Sequence, residues 1–394
     1  MTTILKPRWL VSMAPGTGTL TEHALVIEGE RIAAVLPWAE AEARYPQAER
    51  VELGEHVLIP GLINGHTHSA MSLLRGGVTY LNDMYFFPTA MARAALDSGI
   101  RAGVSINVID FPTGYAANAQ DYIAKGLAAY EQFKGEKLLD WTSAPHAPYT
   151  VSDETFVALR KLAEAHDLQI HCHIHETQDE IDGSLKQYGV RPLERLHKLG
   201  LLDERMIAVH MVHLNEAEIA LMAEKGVHLV HNPNSNLKLA SGIQPLRALE
   251  AAGVNTLLGT DGAASNNRQD MFGEIRSAAL LAKGASGDPV TVTARTALEM
   301  ATIRAAKAMG RGDDLGSLEV GKLADVTAVS LSALECQPVY DPAAQLVYVA
   351  GREHVSDVWV GGRRLLKNRE ITSFDAAATV RQANEIVTRM KAGR

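Results

Sequence analysis

Short apolar runs alternate with segments of helical periodicity through the middle of the chain. The apolar runs have the length of β-strands and lie at 57–63, 78–81, 102–109, 141–144, 168–173, 206–210, 227–231 and 256–259. Most segments between them repeat apolar residues at helical spacing, as Phe156 and Leu159 do after a capping sequence at 150–153, and as Ile219 and Met222 do after Asn215. Alternating strands and helices are typical of a parallel sheet. Eight such units predict an α/β fold, a (β/α)8 TIM-like barrel.

Both ends of the chain share a second pattern, short strands with tight turns. These strand patterns lie at 25–27, 32–35, 324–329, 346–349 and 358–360. Neither end alone has enough strands for a stable sheet. We therefore predict one small β-sandwich from residues 1–56 and 320–394 around a barrel of residues 57–319, with a closing amphipathic helix over 376–391.

The first connection of the predicted barrel is short. After His68, only the eight residues 69–76 precede Gly77 and the next strand. A parallel crossover normally takes about a dozen residues or more and includes a helix. The first crossover helix is therefore predicted to be missing or shortened, or the chain lacks a segment that its relatives carry.

Composition narrows the class of protein. Hydrophobic residues make up 46% of the chain and charged residues 21%, as in ordinary globular enzymes. The net charge is -8 and the basic residues are scattered, which argues against a nucleic-acid-binding surface. Cys172 and Cys336 cannot form a disulfide framework, and no apolar run has the length of a membrane helix. With a start that lacks signal-peptide features, this predicts a soluble cytoplasmic protein that binds neither nucleic acid nor membrane.

Polar residues follow five of the predicted strands, at the point where each strand ends. They belong to the segments 65–68, 145–148, 173–176, 208–211 and 259–262. The carboxyl ends of barrel strands open onto one face, so these side chains are expected to converge. A hydrolytic metal needs several imidazoles and a carboxylate, plus one open position for water. The five segments together therefore predict a metal site at this face.

The first segment carries an HxH pair. His66 and His68 are one residue apart, so on an extended strand both side chains point the same way. Taken alone, such a pair often occurs at a strand end without a metal. The ligand interpretation depends on the other four segments.

The third segment ends a run of clean alternation at 168–176. His171, His173 and His175 share one face, and aliphatic residues share the other. We interpret His173 as the ligand, His171 as a hydrogen-bonded core residue and His175 as a rim residue. Glu176, just past the strand end, is the candidate proton carrier; its simpler interpretation is a carboxylate that favours a helix N-terminus.

The remaining candidates each have a structural alternative. Asp261 ends an apolar strand and could be only a turn former or helix cap. His210 could be a buried structural histidine, and His146, held in a rigid Pro-rich turn, could be turn packing. His231 lies at the correct end of its strand but is expected at most to support the ligands.

The order of these segments, HxH, PHxP, HxxE, His and Asp, resembles that of the amidohydrolase superfamily. The segments 235–242 and 259–267 narrow the resemblance to the 5′-methylthioadenosine/S-adenosylhomocysteine deaminases and the related triazine chlorohydrolases. The resemblance covers nearly the whole chain, including 316–325, which is similar to the family's return into its sandwich. It implies a barrel with one divalent metal ion, usually zinc, with iron as the alternative.

The resemblance also implies roles at matching positions. Metal ligation is implied for four residues, His66, His68, His173 and Asp261. Glu176 and His146 would contact the substrate, with Asp261 beside it. Catalysis would depend on Glu176 as proton donor to the ring, Asp261 as proton acceptor and His210, which would orient the attacking water. His146 stands where binuclear relatives have a modified lysine, which implies a single metal.

The implied activity is hydrolytic deamination of an adenine-type nucleoside, such as 5′-methylthioadenosine, S-adenosylhomocysteine or adenosine, with release of ammonia. In nucleoside-deaminating relatives, a carboxylate after HxH holds the ribose hydroxyls, but residues 69–76 contain neither Asp nor Glu. Deamination of a free base such as guanine or cytosine, and dechlorination of a triazine, therefore stay open. A non-catalytic binding barrel is the alternative from another class, against which the complete ligand set argues. The exact small-molecule partner, the metal and any homo-oligomer are left open by the sequence.

Overall fold

The computed structural model describes residues 2–68 and 76–392 of the chain. Its first elements are short strands joined by tight turns. They are β1 (Thr2–Lys6), β2 (Trp9–Val11), β3 (Thr19–Thr21), β4 (His23–Glu28), β5 (Arg31–Pro37), helix α1 (Trp38–Arg44), β6 (Glu49–Glu52) and β7 (His56–Pro60). The predicted strands at 25–27 and 32–35 are confirmed as parts of β4 and β5, which pair antiparallel. These strands join β1 and β6 in a four-stranded sheet of order β5-β4-β1-β6.

Eight parallel strands form the central sheet and follow one another in chain order. They are β8 (Leu62–Thr67), β9 (Val78–Asp83), β10 (Arg101–Val108), β11 (Leu139–Pro145), β12 (Gln169–Ile174), β13 (Met206–His210), β14 (His228–His231) and β15 (Asn255–Leu258). The order from β8 to β15 is that of a (β/α)8 barrel, as predicted. From β9 onwards the predicted strands agree closely with these bounds.

The first predicted strand, 57–63, is wrong as a single element. It consists of β7 and β8, which belong to different sheets and are separated by Gly61. A Cβ atom on Gly61 would lie 2.1 Å from Thr79 Oγ1, so only glycine lets the chain pass this close to β9. The predicted domain boundary at residue 57 falls inside β7. Residues 69–75, on which the predicted loss of the first crossover helix depends, lie outside the described residues.

Strands β8 and β15 close the sheet where the candidate site begins. Thr67 forms a parallel bridge with Asp261, and the backbone N–H of Asp261 donates to the carbonyl of His66 at 3.0 Å. Deeper in the barrel, Asn64 Nδ2 donates to Thr260 Oγ1 at 2.8 Å, and the Thr260 N–H donates to Asn64 Oδ1 at 3.0 Å. The first and last barrel strands are therefore tied together by the neighbours of the predicted ligands.

Helices alternate with the barrel strands and continue after the last of them. They are α2 (Pro88–Ser98), α3 (Ala119–Phe133), α4 (Asp153–His166), α5 (Gln178–Tyr188), α6 (Pro192–Lys198), α7 (Glu216–Lys225), α8 (Pro233–Lys238), α9 (Leu246–Ala251), α10 (Met271–Ser286), α11 (Ala294–Met300) and α12 (Ile303–Ala308). Two predicted helix starts are confirmed. The Ser152 side chain caps α4, and Asn215 forms a capping box with Glu218 at α7.

The barrel interior has an apolar half and a polar half. Towards the amino ends of the strands, a buried cluster that includes Ile63, Tyr80 and Ile207 fills the space. Further along the same strands come buried polar residues, among them Asn82 on β9. The apolar half is a packed floor, so a ligand can enter the barrel only from the carboxyl ends of the strands.

The last strands of the chain join β2, β3 and β7 in a further sheet. The elements of this part of the chain are β16 (Val326–Ser330), α13 (Pro342–Tyr348), β17 (Val355–Val360), β18 (Arg363–Lys367), β19 (Glu370–Ile371) and α14 (Ala376–Ala392). A seven-stranded sheet has the order β19-β18-β17-β16-β7-β2-β3. Strands from both ends therefore pair in one sheet, as the sequence predicts.

The predicted strand at 346–349 is wrong, because residues 346–348 form the end of helix α13. Asp341 caps the helix by accepting a hydrogen bond from the Ala343 N–H at 2.9 Å, and Pro342 occupies its first turn. The buried Leu346 and Val347 that suggested a strand lie on the inner face of this helix. The closing helix is α14, close to its predicted bounds. Within residues 2–68 and 76–392, no helix combines the length and hydropathy needed to cross a membrane.

Candidate active site

Four of the predicted site residues meet at the carboxyl end of the barrel. His66 and His68 come from the end of β8, His173 from β12, and Asp261 follows β15. Asp261 Oδ1 lies 3.0 Å from His68 Nε2 and 3.4 Å from His66 Nε2. His173 Nε2 lies 3.2 Å from His66 Nε2. Three ring nitrogens and one carboxylate oxygen therefore face a common point.

The other ring nitrogen of each histidine is held by the surrounding structure. His68 Nδ1 donates to the carbonyl of Met84 at 2.6 Å, and His173 Nδ1 donates to the carbonyl of His146 at 2.9 Å. His66 Nδ1 is hydrogen-bonded to His171 Nε2 at 3.1 Å. Such partners fix the orientation of ligating imidazoles in metal sites. In the neutral rings of His68 and His173 they leave the Nε2 lone pair directed at the common point.

Burial sets the charge of these imidazoles. It lowers the pKa of His66 to about 4 and the pKa of His173 well below its usual range. At His68, burial also acts to lower the pKa, but the hydrogen bond and charge of Asp261, the hydrogen bond to the Met84 carbonyl and the charge of Asp83 together outweigh it, and the pKa is raised. Neutral imidazole is the form that binds metal ions. His66 and His173 are therefore in the ligating form at neutral pH.

Asp261 is held on both of its carboxylate oxygens. Ser235 Oγ and Ser265 Oγ donate to Oδ2 at 2.6 and 2.8 Å, and the Gly262 N–H donates to Oδ1 at 2.7 Å. Its backbone lies in the left-handed region with φ +60°, a conformation that non-glycine residues adopt mainly where the structure imposes it. Burial acts to raise the pKa of Asp261, but hydrogen bonds with the histidines of β8 lower it below its usual range. The carboxylate therefore stays ionised.

His210 ends β13 and turns towards the same point. Its φ of +73° is also left-handed, and Gln244 Nε2 holds its carbonyl at 2.6 Å. His210 Nδ1 donates to Asn236 Oδ1 at 2.9 Å, which leaves Nε2 free to accept a hydrogen bond. This Nε2 atom lies 3.8 Å from Glu176 Oε2. His210 and Glu176 therefore stand side by side over the four residues that converge.

Glu176 occupies the turn between β12 and α5. The buried carboxylate of Glu180 accepts the backbone N–H groups of His175 and Glu176, both at 2.9 Å. Burial raises the pKa of Glu180 to about 7. The backbone of the turn is thus fixed by Glu180, while the Glu176 side chain is left to face the site.

His146 follows β11, and its ring centroid lies 4.8 Å from that of His173. The Thr150 hydroxyl donates to the Ala147 carbonyl at 3.1 Å, so its oxygen can accept from His146 Nδ1 at 3.0 Å. Burial lowers the pKa of His146 to about 4. Its neutral ring therefore presents Nε2 as a hydrogen-bond acceptor.

The other two histidines of the run 168–176 lie in the protein interior. His171 is fully buried and bonded to His66 and Asn82, which confirms it as a core residue. The prediction that His175 is a rim residue is wrong: it is fully buried, and its Nε2 accepts the Leu193 N–H at 3.1 Å. His175 has a left-handed φ of +56°, so the strand alternation stops one residue before it.

A buried carboxylate that the sequence analysis missed ties a helix and a loop of the site together. Glu274 accepts from the Asn234 N–H at 3.1 Å, from Asn234 Nδ2 at 2.7 Å and from Asn266 Nδ2 at 2.7 Å. Helix α8, which contains Asn234, carries the partners of Asp261 and His210, and the Asn266 loop carries Asp261 itself. A signal for Glu274 was present, because it is a charged residue on the apolar face of α10 between Met271 and Ala278.

The converging side chains have the chemistry of a metal site. Two groups have ligand atoms that all lie within 4.8 Å of one another: His66, His68 and His173, and His66, His210 and Asp261. Imidazole nitrogens with one carboxylate suit zinc and similar divalent ions. The residues present therefore fit a single divalent metal ion.

Comparisons with known proteins agree with this geometry. The chain matches the amidohydrolase family over residues 69–365, and a bacterial imidazolonepropionase-like composite domain over residues 24–48. It is 41% identical to an adenosine deaminase from Xanthomonas campestris solved with bound zinc, with a TM-score of 0.96 over 99% of this chain and 98% of that one.

Two curated relatives are similar over most of their length. The 5-methylthioadenosine/S-adenosylhomocysteine deaminase of Teredinibacter turnerae is 40% identical over 412 positions, covering 94% of this chain and 93% of the relative. The 5′-deoxyadenosine deaminase of Methanopyrus kandleri is 34% identical, covering 92% and 93%. An alignment of 412 positions exceeds the 394 residues of this chain, so the first relative has residues that this chain lacks. Family match, fold and identity lead to one conclusion: the chain belongs to the amidohydrolase family.

Proposed function

We propose that the protein is a metal-dependent hydrolytic deaminase that converts an adenine-type nucleoside and water into the corresponding hypoxanthine nucleoside and ammonia. The observation that carries this proposal is the convergence of His66, His68, His173 and Asp261 with Glu176 beside them. The names of the relatives support the substrate class, since they include deaminases of adenosine, 5′-deoxyadenosine and 5-methylthioadenosine.

In this proposal the metal is held by Nε2 atoms of three histidines and by Asp261. These ligands are His66, His68 and His173 through the ring and Asp261 through Oδ1. Zinc is the expected ion, supported by the zinc in the Xanthomonas campestris relative, with iron as the alternative. When bound, a divalent ion supplies the Lewis acidity that lowers the pKa of a water molecule towards neutrality.

The acidic residues divide the proton transfers between them. Asp261 accepts a proton from the attacking water, and the serine hydroxyls on its Oδ2 keep its carboxylate in position. Glu176 delivers a proton to the ring nitrogen next to the carbon that bears the amino group, which makes that carbon electrophilic. Asp261 then passes the proton from the water to the amino group, which leaves as ammonia, and Glu176 regains a proton from the new hydroxyl group as that becomes the carbonyl.

The neutral histidines orient the reactants. His210 donates from Nδ1 to Asn236, so its Nε2 can accept a hydrogen bond from the water that attacks. His146 offers Nε2 to a donor group of the heterocycle, because Thr150 occupies its Nδ1. His146 follows β11 and His210 ends β13, the two strands that neighbour β12 and its His173.

Substitution of Glu176 by Gln tests the proposal. We expect Glu176→Gln to keep its metal but to lose turnover, because the amide cannot deliver a proton. Metal content by elemental analysis and ammonia release from adenosine and 5′-methylthioadenosine measure the two properties. Asp179→Asn, an exposed acid two positions into the following helix, is the matched control and is expected to retain activity. Turnover by Glu176→Gln at the wild-type rate would refute the role of Glu176.

Deamination of a free base is the second candidate function. It is favoured by the absence of Asp and Glu from residues 69–76, where the resemblance places the carboxylate that binds ribose. Ammonia release from adenine and guanine, compared with release from adenosine under the same conditions, separates the two. A higher kcat/KM for the free base than for adenosine would contradict the nucleoside proposal and support deamination of the free base.

A further inference from the structure

Three fully buried side chains form a row of hydrogen bonds inside the barrel, next to the candidate site. We call them the buried relay: Asn82 on β9, His171 on β12 and His66 on β8. Asn82 Nδ2 lies 3.3 Å from His171 Nδ1, and His171 Nε2 lies 3.1 Å from His66 Nδ1. Because buried polar groups are almost always paired, each N–H of the relay needs an acceptor within the protein.

The carbonyl of Gly65 fixes the direction of these hydrogen bonds. It accepts from Asn82 Nδ2 at 3.2 Å, so the nitrogen of the amide, not its oxygen, faces Gly65 and His171. His171 Nδ1 is therefore an acceptor. Burial holds the pKa of His171 well below its usual range, so the ring is neutral and its single proton is on Nε2. His171 Nε2 then donates to His66 Nδ1, which places the proton of His66 on its own Nε2.

The hydrogen bonds beyond His66 agree with this direction. His66 Nε2 lies 3.2 Å from His173 Nε2, and the His173 ring donates from Nδ1 to the His146 carbonyl, so its Nε2 is an acceptor. Asp261 Oδ1, 3.4 Å from His66 Nε2, is a second acceptor. All donors from Asn82 to His66 therefore have acceptors, and the row runs towards Asp261.

A metal ion on His66 requires the opposite direction. This inference rests on the proposed function, in which His66 binds the ion through Nε2. A ligating Nε2 offers its lone pair, so the ring proton must be on Nδ1 and His171 must accept it at Nε2. The proton of His171 is then on Nδ1, where it faces the NH2 group of Asn82, which cannot accept. The amide must turn so that its oxygen faces His171.

The amide of Asn82 has an unused acceptor and space for both of its ends. Its Oδ1 is buried and has no hydrogen-bond partner among residues 2–68 and 76–392. A Cβ atom on Gly103, which pairs with Asn82 in the neighbouring strand β10, would come within 2.4 Å of this oxygen. Glycine therefore leaves the space that Oδ1 now fills and that Nδ2 fills after the turn. The turn gives up the hydrogen bond to Gly65, so the relay as it stands opposes metal binding.

We propose that Asn82 and His171 are positioning residues for the metal, and that the hydrogen bonds of the buried relay reverse when His66 binds the ion. After the reversal, His66 Nδ1 donates to His171 Nε2, and His171 Nδ1 donates to Asn82 Oδ1. Each imidazole holds one proton before and after, on Nε2 and then on Nδ1, so the relay gains and loses none. The orientation of one amide inside the barrel thus sets how readily His66 becomes a ligand.

Nitrogen NMR of protein with isotope-labelled histidine tests the reversal, because a ring nitrogen that carries a proton resonates apart from one that does not. Comparison with His171→Gln assigns the signals of His171. We expect the proton of His171 on Nε2 in protein stripped of metal by a chelator, and on Nδ1 in zinc-loaded protein. Any other result for His171 in protein that binds zinc would overturn this inference and leave the deaminase proposal intact. Failure of the protein to bind zinc would overturn both.

Asn82→Asp tests the role of the amide through zinc affinity, measured by competition with a chelating dye. An ionised Asp can only accept from His171, so we expect the affinity for zinc to rise at least about tenfold. The matched control is Asn255→Asp at the amino end of the barrel, where Asn255 Nδ2 likewise donates to a histidine, His228 Nδ1 at 2.9 Å, and to a carbonyl, that of Arg304 at 3.0 Å. The control should bind zinc like wild type. Unchanged or weaker binding by Asn82→Asp, or an equal rise in both variants, would overturn the role of Asn82.

Discussion

Glu274 offers a direct test of how the site is held in place. Its buried carboxylate accepts three N–H donors from Asn234 and Asn266 and touches neither the predicted ligands nor Glu176. Substitution by Ala removes the acceptor and leaves three donors without a partner. Substitution by Gln keeps one oxygen, which can accept from both amide side chains, but sets an NH2 group against the Asn234 N–H.

The magnitude follows from these contacts. A hydrogen bond contributes about 0.5–1.5 kcal/mol, and an unpaired buried polar group costs about 1–3 kcal/mol. Part of this is offset because burial destabilises the carboxylate and raises the pKa of Glu274 to about 8. We expect Glu274→Ala to lower the free energy of unfolding by about 2–4 kcal/mol, and Glu274→Gln by about 1–2 kcal/mol. Zinc affinity should fall in the same order, since the Asp261 loop loses its support.

Urea unfolding followed by circular dichroism, with and without zinc, measures the loss of stability, and competition with a chelating dye measures zinc affinity. The matched control is Glu299→Gln on α11, a partly exposed carboxylate paired with Arg295 and Arg304, whose loss should cost no more than about 1 kcal/mol. If Glu274→Ala unfolds and binds zinc like the control, Glu274 does not support the site.

Two further predictions concern pH and metal removal. Burial raises the pKa of Glu180 from 4.5 to about 7, so the folded state holds this proton more tightly than the unfolded state. The stabilisation is complete below pH 4.5 and is lost as the pH rises through 7. The free energy of unfolding of wild type, relative to that of Glu180→Gln, should therefore fall by up to about 3 kcal/mol over this window. A difference between the two proteins that does not change with pH in melting experiments would contradict this prediction. Chelation of the metal should lower the melting temperature of wild type more than that of Asp261→Asn, because the variant has already lost a ligand. Equal shifts in calorimetry would exclude Asp261 as a ligand.

Much of the fold could be predicted from local sequence patterns. The barrel strands, the cap of α4 and the capping box of α7 depend on residues close together in the chain, and these predictions are confirmed. The errors arise where one residue overrides a pattern. Gly61 divides an apolar run between two sheets, and the Asp341–Pro342 cap turns a β-branched segment into a helix.

The candidate site was predictable only in part for a related reason. The convergence of the four predicted ligands follows from strand ends and alternation, which the sequence displays. His175 departs from the alternation because its backbone is left-handed, and no neighbouring residue signals this. Ser235 supports Asp261 from 26 positions away, and Glu274 supports Asn234 of helix α8 from 40 positions away. No periodic pattern in the sequence links residues at these separations.

The bridge between Thr67 and Asp261 has a consequence for biosynthesis. These residues are 194 positions apart, and the bridge between them joins the first barrel strand to the last. A nascent chain that has released only its first barrel strands presents His66 and His68 without their carboxylate partner. On the proposed ligand set, the complete metal site can form only after translation has passed residue 261, when the last barrel strand is available to the first.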